Sequence, residues 1–250
     1  MRLFLVLTFA VLAACHPAEP LAGDGVLVER SWPLDGVSVV RASGPMSVQV
    51  LVGSGFTAGL RAEGDANVVG ALRRRTEGRA LVLDASALAP SQPLQLTVTL
   101  PALLGLHASD GTVATANAMR GGRLDLSAQD SGRVLVNGVD ADSLQVTVSR
   151  ASTVDAAGVT RLVTVTARDV GTAALGSLRS RVALIEASEL SSVRVHALEA
   201  VRGAASRASR VDVAGEPVLR SLSADEGSFV RQQPGSAPRA VGEQRSAGEG

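Results

Sequence analysis

The sequence predicts an all-β chain: a right-handed parallel β-solenoid (β-helix) of about twenty-residue coils with an irregular N-terminal β cap. Three observations predict it. Small apolar residues recur at Val113, Val134, Val154, Ala173, Val193 and Val211, at intervals of 18 to 21 residues. Each copy carries a period-two stretch such as Leu144-Gln145-Val146-Thr147-Val148, whose alternate side chains share one face of a strand. Each stretch ends in a short corner, such as Gln129-Asp130-Ser131-Gly132 or Ser149-Arg150-Ala151-Ser152, of residue types suited to local side-chain hydrogen bonds or positive φ. One copy alone buries too little apolar area to offset its conformational entropy. Stacked copies bury one another's inner faces and pair their backbones as parallel strands. The inner residues are small, Val163, Val165 and Ala167 in one copy and Ala183, Ile185 and Ala187 in the next, as a narrow lumen requires.

The elements follow in chain order. Met1-Arg2, the apolar run Leu3 to Leu12 and the small pair Ala13-Ala14 read as an export signal over residues 1–14; the run is too short to cross a bilayer as a helix. Residues 15–25, with two prolines and two glycines, read as a tether. Residues 26–230 are expected to form one domain, irregular over 26–103 and repetitive over 104–230. In the irregular part Val37-Ser38-Val39-Val40 and Met46 to Val50 alternate around the turn Ser43-Gly44-Pro45. Asp65 to Leu72 reads as a helical turn, Ala80 to Asp84 as a strand, and Leu94 to Leu100 as a period-two strand ended by Pro101. Open solenoid ends invite association. The N-terminal part is expected to cover one end, and Val218 to Leu222 with Phe229 to plug the other. An imperfect plug would permit self-association. Residues 231–250 are polar, contain Gly and Pro, and are expected to be disordered.

Two resemblances sharpen this reading. Leu12-Ala13-Ala14-Cys15 resembles the lipobox of bacterial lipoproteins, which implies cleavage before Cys15, a diacylglycerol on its thiol and an acylated amino group. Several acyl chains, at roughly 0.8 kcal/mol per buried methylene, make a durable membrane anchor. Cys15 is the single cysteine and has no disulfide partner within the chain, so lipidation would also remove an orphan thiol. His16 stands where inner-membrane lipoproteins carry Asp, so the resemblance implies export and anchoring at the outer membrane. Second, Leu34-Asp35-Gly36-Val37-Ser38-Val39-Val40-Arg41-Ala42-Ser43-Gly44-Pro45-Met46-Ser47-Val48-Gln49-Val50, then Val98-Thr99-Leu100-Pro101, then Ser109-Asp110-Gly111-Thr112-Val113 and Asp130-Ser131-Gly132-Arg133-Val134, then Gly215-Glu216-Pro217 occur in this order. The series resembles the head GIN domain family of autotransporter adhesins over about residues 34–230. The resemblance implies a β-solenoid in the cell envelope and names no catalytic residue. The glycine-rich corners of that family are eroded here to Arg150-Ala151-Ser152 and Glu189-Leu190-Ser191.

Composition excludes several functions. The 24 basic residues, all Arg, balance 24 acidic ones, so no global field steers a polyanion. The one basic run, Arg73-Arg74-Arg75, lacks interleaved aromatics and reads as a solvated turn, so nucleic acid is not an expected partner. His107 and His196 fall in different copies without His or Cys at ligand spacing, so no metal site and no cofactor is expected. The candidate site is a column of matched corners, Ser109, Asp130, Arg150, Asp169, Glu189 and Ser209, stacked at about 4.8 Å. Asp169 with Glu189 could share a calcium ion or a proton; the plainer reading is a solvated ladder with Asp130-Arg150-Asp169 as a surface ion-pair network.

Two functions from different classes fit. One is a non-catalytic, lipid-anchored envelope protein that presents a repetitive face for adhesion or scaffolding, with an envelope protein or glycan as partner. The other is a polysaccharide-acting β-helix lyase or hydrolase. Without Lys or Tyr, and with Trp32, Phe56 and Phe229 as the only aromatics after residue 14, the chain is poorly equipped for the second. A convergent Arg with two or three acids in one groove would revive it.

Overall fold

The computed structural model describes residues 19–225 and 227–232, with 67% strand, 3% helix and about six turns of stacked parallel coils. The predicted class is the observed one. The export signal, Cys15 and His16, and the tail beyond Gln232 lie outside the described residues.

Each coil has three straight runs. Within Arg133–Val148 they are 133–136, 139–141 and 143–148, which pair in parallel with 153–156, 158–160 and 162–167 of Thr153–Ala167. The register continues into Thr172–Ala187 and Ser192–Ala205. It aligns inner columns of the predicted kind: Leu124, Leu144, Val163, Ala183 and Val201 form one, and Val134, Val154, Ala173, Val193 and Val211 another, all buried. Where one wall of a turn recedes, the other fills it. Ala183 and Ala187 share their coil with the larger Leu175 and Leu178, so lumen volume is kept by alternating large and small residues.

Two glycines mark close backbone approach between coils, Gly158 at a register shift and Gly203 within an unbroken run of pairing. Gly158 (φ 138°) and Gly203 (φ 140°) lie in the left-handed half of φ, and a Cβ on either would overlap the carbonyl oxygen of Val139 or Ile185 in the coil below. Gly203 takes its place in the column under Ile185 because only a bare backbone fits there.

The N-terminal part is laid down out of chain order. Val39–Ser43 sits between Ala80–Asp84 and Gly105–Ser109, and Met46–Val52 sits between Leu94–Leu100 and Val113–Ala116, all in parallel. The parallel stack therefore begins well before residue 104. Beyond its first level the strands turn antiparallel: Gly59–Asp65 pairs with Leu94–Leu100, Leu27–Pro33 with Gly59–Asp65, and Arg73–Glu77 with Ala80–Asp84. The expected helical turn is the helix Ala66–Ala71, which buries Val68 and Val69 on this cap.

Three expectations need correction. Arg73-Arg74-Arg75 is not a turn but an exposed edge strand, and the Arg74 guanidinium lies 4.2 Å from the centre of the Trp32 ring. The distal part of the 15–25 segment is docked rather than free: Leu21–Ala22 pairs with Leu88–Ala89. Buried Asp65 holds it there, accepting from Gly25 N (3.0 Å), Ser91 N (2.7 Å) and Ser91 Oγ (2.6 Å), and the Ser91 hydroxyl foremost lowers its pKa. At the far end, Leu219–Ala224 and Phe229–Gln232 do not fold over the lumen. They continue the stack as a last, exposed level, because their backbones register on 200–205 and 210–213.

Gly203→Ala is expected to lower the unfolding free energy by roughly 2–4 kcal/mol, the combined cost of a strained φ and an overpacked wall. Thermal and urea denaturation followed by circular dichroism would measure it.

Candidate functional site

The corners form one continuous structure. Asp110-Gly111, Asp130-Ser131, Arg150-Ala151, Asp169-Val170, Glu189-Leu190 and Arg207-Ala208 all have positive φ at both positions, the geometry of a tight type I′ turn. Every non-glycine residue of positive φ among the described residues belongs to this ladder. In each corner the amide of the second residue donates to the carbonyl of the first residue in the next: Gly111 to Asp130 (3.0 Å), Ser131 to Arg150 (3.0 Å), Ala151 to Asp169 (2.9 Å), Val170 to Glu189 (2.9 Å) and Leu190 to Arg207 (3.0 Å). Left-handed backbone is thus retained where glycine has been lost, because it points an amide along the stack.

The side chains of this ladder differ in part from expectation. Asp130 and Arg150 form an ion pair at 2.9 Å. Asp169 approaches its own neighbour Arg168 at 4.0 Å, and Glu189 pairs with Arg207. These are separate exposed pairs, each worth about 1 kcal/mol or less. Ser109 and Ser209 do not take the end positions; Asp110 and Arg207 do. Ser209 turns inward, fully buried, with its one hydroxyl proton in reach of the carbonyls of Ala187 (3.0 Å) and Ser206 (2.7 Å).

Ser209 belongs to a column that sequence reasoning missed. Thr112, Ser152 and Ser191 are also buried, and their hydroxyls reach back to the carbonyls of Gly44 (2.7 Å), Ala128 (2.6 Å) and Ala167 (3.1 Å). Their signal was legible: two places after four of the six ladder residues stands a small hydroxyl residue, and after Asp130 and Asp169 it is Gly132 and Gly171. The hydroxyls fix those four corners to the coil before them.

A polar groove lies elsewhere, on the first coils. The open groove, of about 490 Å³, is lined by Arg41, Ser43, Arg75, Asp84, Ser86, His107, Ser109 and Asp110, with Ser127 and Gln129 at one side. It forms because four segments distant in sequence stack there, and because the outward positions between the arginines carry small residues. The Asp110 carboxylate accepts from the Ser43 hydroxyl and from Ser109 Oγ (3.0 Å). Asp84 accepts from Ser86 Oγ (2.7 Å) and N (3.0 Å), and these bonds, the hydroxyl's foremost, hold its pKa below the ordinary value. Burial likewise lowers the His107 pKa; Asp125, 3.6 Å from Nδ1, opposes the shift and Arg41 adds to it. His107 is therefore neutral at physiological pH. Arg41 has no carboxylate within 4.0 Å among the described residues, which leaves its guanidinium available to a ligand.

The groove thus gathers arginines and acids as the enzyme reading requires. Its acids, however, are tied to serine hydroxyls. Asp84, held ionised in this way, is a poor proton donor, so the arrangement suits binding better than general-acid chemistry. Neither His196, in a distant coil, nor any group of three His, Cys, Asp or Glu side chains among the described residues is placed to hold a metal ion.

The sequence profile described as "Putative auto-transporter adhesin, head GIN domain" matches residues 38–217. The chain belongs to this family. No curated protein matches the chain. Solved structures share the fold. A "putative adhesin" from Bacteroides fragilis has a TM-score of 0.77 at 17% identity, covering 85% of this chain and all of that one. A "putative lipid binding protein" from Parabacteroides distasonis has a TM-score of 0.68 at 12% identity, and a "putative adhesin" from Parabacteroides merdae 0.63 at 14%; each covers 86% of this chain and all of its own. At these identities the likeness extends to the fold, and the head GIN architecture is what they share.

Two measurements follow from the corner and the groove. Val170, half-exposed with φ 64°, is a β-branched residue where glycine fits best, so Val170→Gly should raise stability by about 0.5–1 kcal/mol in thermal denaturation. For His107 the folded pKa lies below the unfolded one. The unfolded chain therefore takes up the proton first, and stability falls as pH drops below about 6.5. His107→Gln should flatten that part of the stability–pH curve and leave the more acidic limb, set by Asp65, Asp84 and Asp225, in place.

Proposed function

We propose that this head GIN protein is a non-catalytic, lipid-anchored component of the bacterial cell envelope: a rigid solenoid that binds a polar partner, a glycan or an envelope protein, for adhesion or scaffolding. The observation that carries the reading is the groove, whose donors and acceptors are fixed on stacked coils, with serine hydroxyls on its carboxylates and Asp84 held ionised. Family membership supports a surface role. The anchor reading rests on Cys15. Five residues lie between it and docked Leu21, a reach of at most about 22 Å, which would hold the cap beside the membrane with the coils leading away from it.

Polysaccharide cleavage is the competing reading, since Arg41, Arg75, Asp84 and Asp110 do line one groove.

Intact mass of the membrane fraction tests the anchor. A triacyl increment on a chain starting at Cys15, lost with release to the soluble phase in Cys15→Ser, is the expected result; an unmodified soluble chain would overturn it. Glycan-array binding by the soluble protein tests the groove. Arg41→Ala and Asp110→Ala should each weaken any signal at least tenfold with an unchanged circular dichroism spectrum. Shortening of a bound polysaccharide by the wild type would instead establish the enzyme.

A further inference from the structure

We infer that the C-terminal end of the solenoid is a self-docking surface, at which Leu219–Ala224 of one copy pairs antiparallel with the same strand of a second copy across a two-fold axis. Leu219–Ala224 pairs only with 200–205, and Phe229–Gln232 only with 210–213, so each has one edge without a strand partner among the described residues. Unpaired edges of this kind are templates for another chain. Around them the large apolar side chains crowd into the open: Val218 is 87% exposed, Phe229 68%, Leu219 57% and Val230 40%.

The edge is also undefended. Leu219–Ala224 carries one charge, Arg220, and Phe229–Gln232 one, Arg231; Arg220 stands in the register position that Val201 and Ala183 fill with apolar side chains in the coils before it. The guanidinium is engaged locally, with Nε donating to the Pro217 carbonyl (3.1 Å) and Nη1 to the Gln232 side chain. The opposite end is built otherwise. Its edge strands, Arg73–Glu77 and Leu27–Pro33, run antiparallel to their neighbours and carry Arg73, Arg74, Arg75, Glu77, Glu29 and Arg30. A head-to-tail contact would set the apolar end against that charged edge, whereas an isologous contact sets it against itself.

Antiparallel pairing across a two-fold axis at Ser221 places Ser221 opposite its own copy, Arg220 opposite Leu222 and Leu219 opposite Ser223, with no like charges face to face. The 18 residues after Gln232 contain one large apolar residue, Val241, and so offer little to cover this end. Such a dimer holds its two N-termini at opposite extremes, because Leu21–Ala22 docks on the cap. The inference depends neither on the lipid anchor nor on a ligand in the groove.

Sedimentation velocity over a concentration series, on the chain from residue 15 carrying Cys15→Ser, tests it. A reversible monomer–dimer equilibrium is expected. Ser221→Glu, an exposed position at the two-fold axis, should weaken it at least tenfold with an unchanged melting curve, while Thr76→Glu on the opposite edge should leave it unaltered. A monomer at every concentration, or a dimer indifferent to Ser221→Glu, would overturn the proposal. A monomer that dimerises only when the chain is ended at Gln232 would also overturn it, by showing that residues 233–250 occupy the surface.

Discussion

The structure depends on a corner that must do two things at once: reverse the chain sharply and present an amide to the next coil. Two successive left-handed residues satisfy both, and the amide-to-carbonyl chain from Gly111 through Arg207 is the result. Without it the strands on either side would lose their common register, since parallel pairing needs every coil to begin at the same height. The buried hydroxyls of Thr112, Ser152, Ser191 and Ser209 secure the same corner from inside. This explains how Val170 and Leu190 persist in a backbone region hostile to them. The strain at one corner is small beside the pairing that the corner permits along a coil.

That division of labour also explains what was legible in the sequence. The period and the inner columns follow from residue size and alternation, which are one-dimensional properties, so Leu144, Val163 and Val154 could be placed without a structure. The corner ladder was legible only to within a residue. Coil length varies from 18 to 21, and position in the ladder is set by backbone φ rather than by residue type. Polar Ser109 and Ser209 therefore looked equivalent to Asp130, although Asp110 and Arg207 hold those places.

The N-terminal arrangement was less accessible, for a different reason. Alternation identifies Val37–Val40, Met46–Val50, Ala80–Asp84 and Leu94–Leu100 as strands, but it does not say that the later pair stacks outside the earlier one. That order comes from long-range pairing, closed by Asp65, whose carboxylate joins residues 25, 65 and 91. The groove inherits this obscurity: Arg41, Arg75, Asp84 and His107 become neighbours only because the stacking order departs from the chain order.

The same departure gives the solenoid two unlike ends and its groove a fixed place. A purely sequential stack would expose a parallel edge at both termini. Here the early segments double back, and antiparallel strands rich in arginine and glutamate end the sheet with charges that resist further pairing. Doubling back also interrupts the uniform outer face, since strands from separate parts of the chain bring unrelated outward residues side by side. In the regular coils the matching outward column reads Ser127, Thr147, Thr166, Glu186 and Ala204, with a single charge, whereas toward the cap it reads His107, Arg41, Val82 and Arg75. Chemical variety therefore concentrates where regularity fails. The cap that stops the stack is also what builds a surface where donors, acceptors and a neutral imidazole come together.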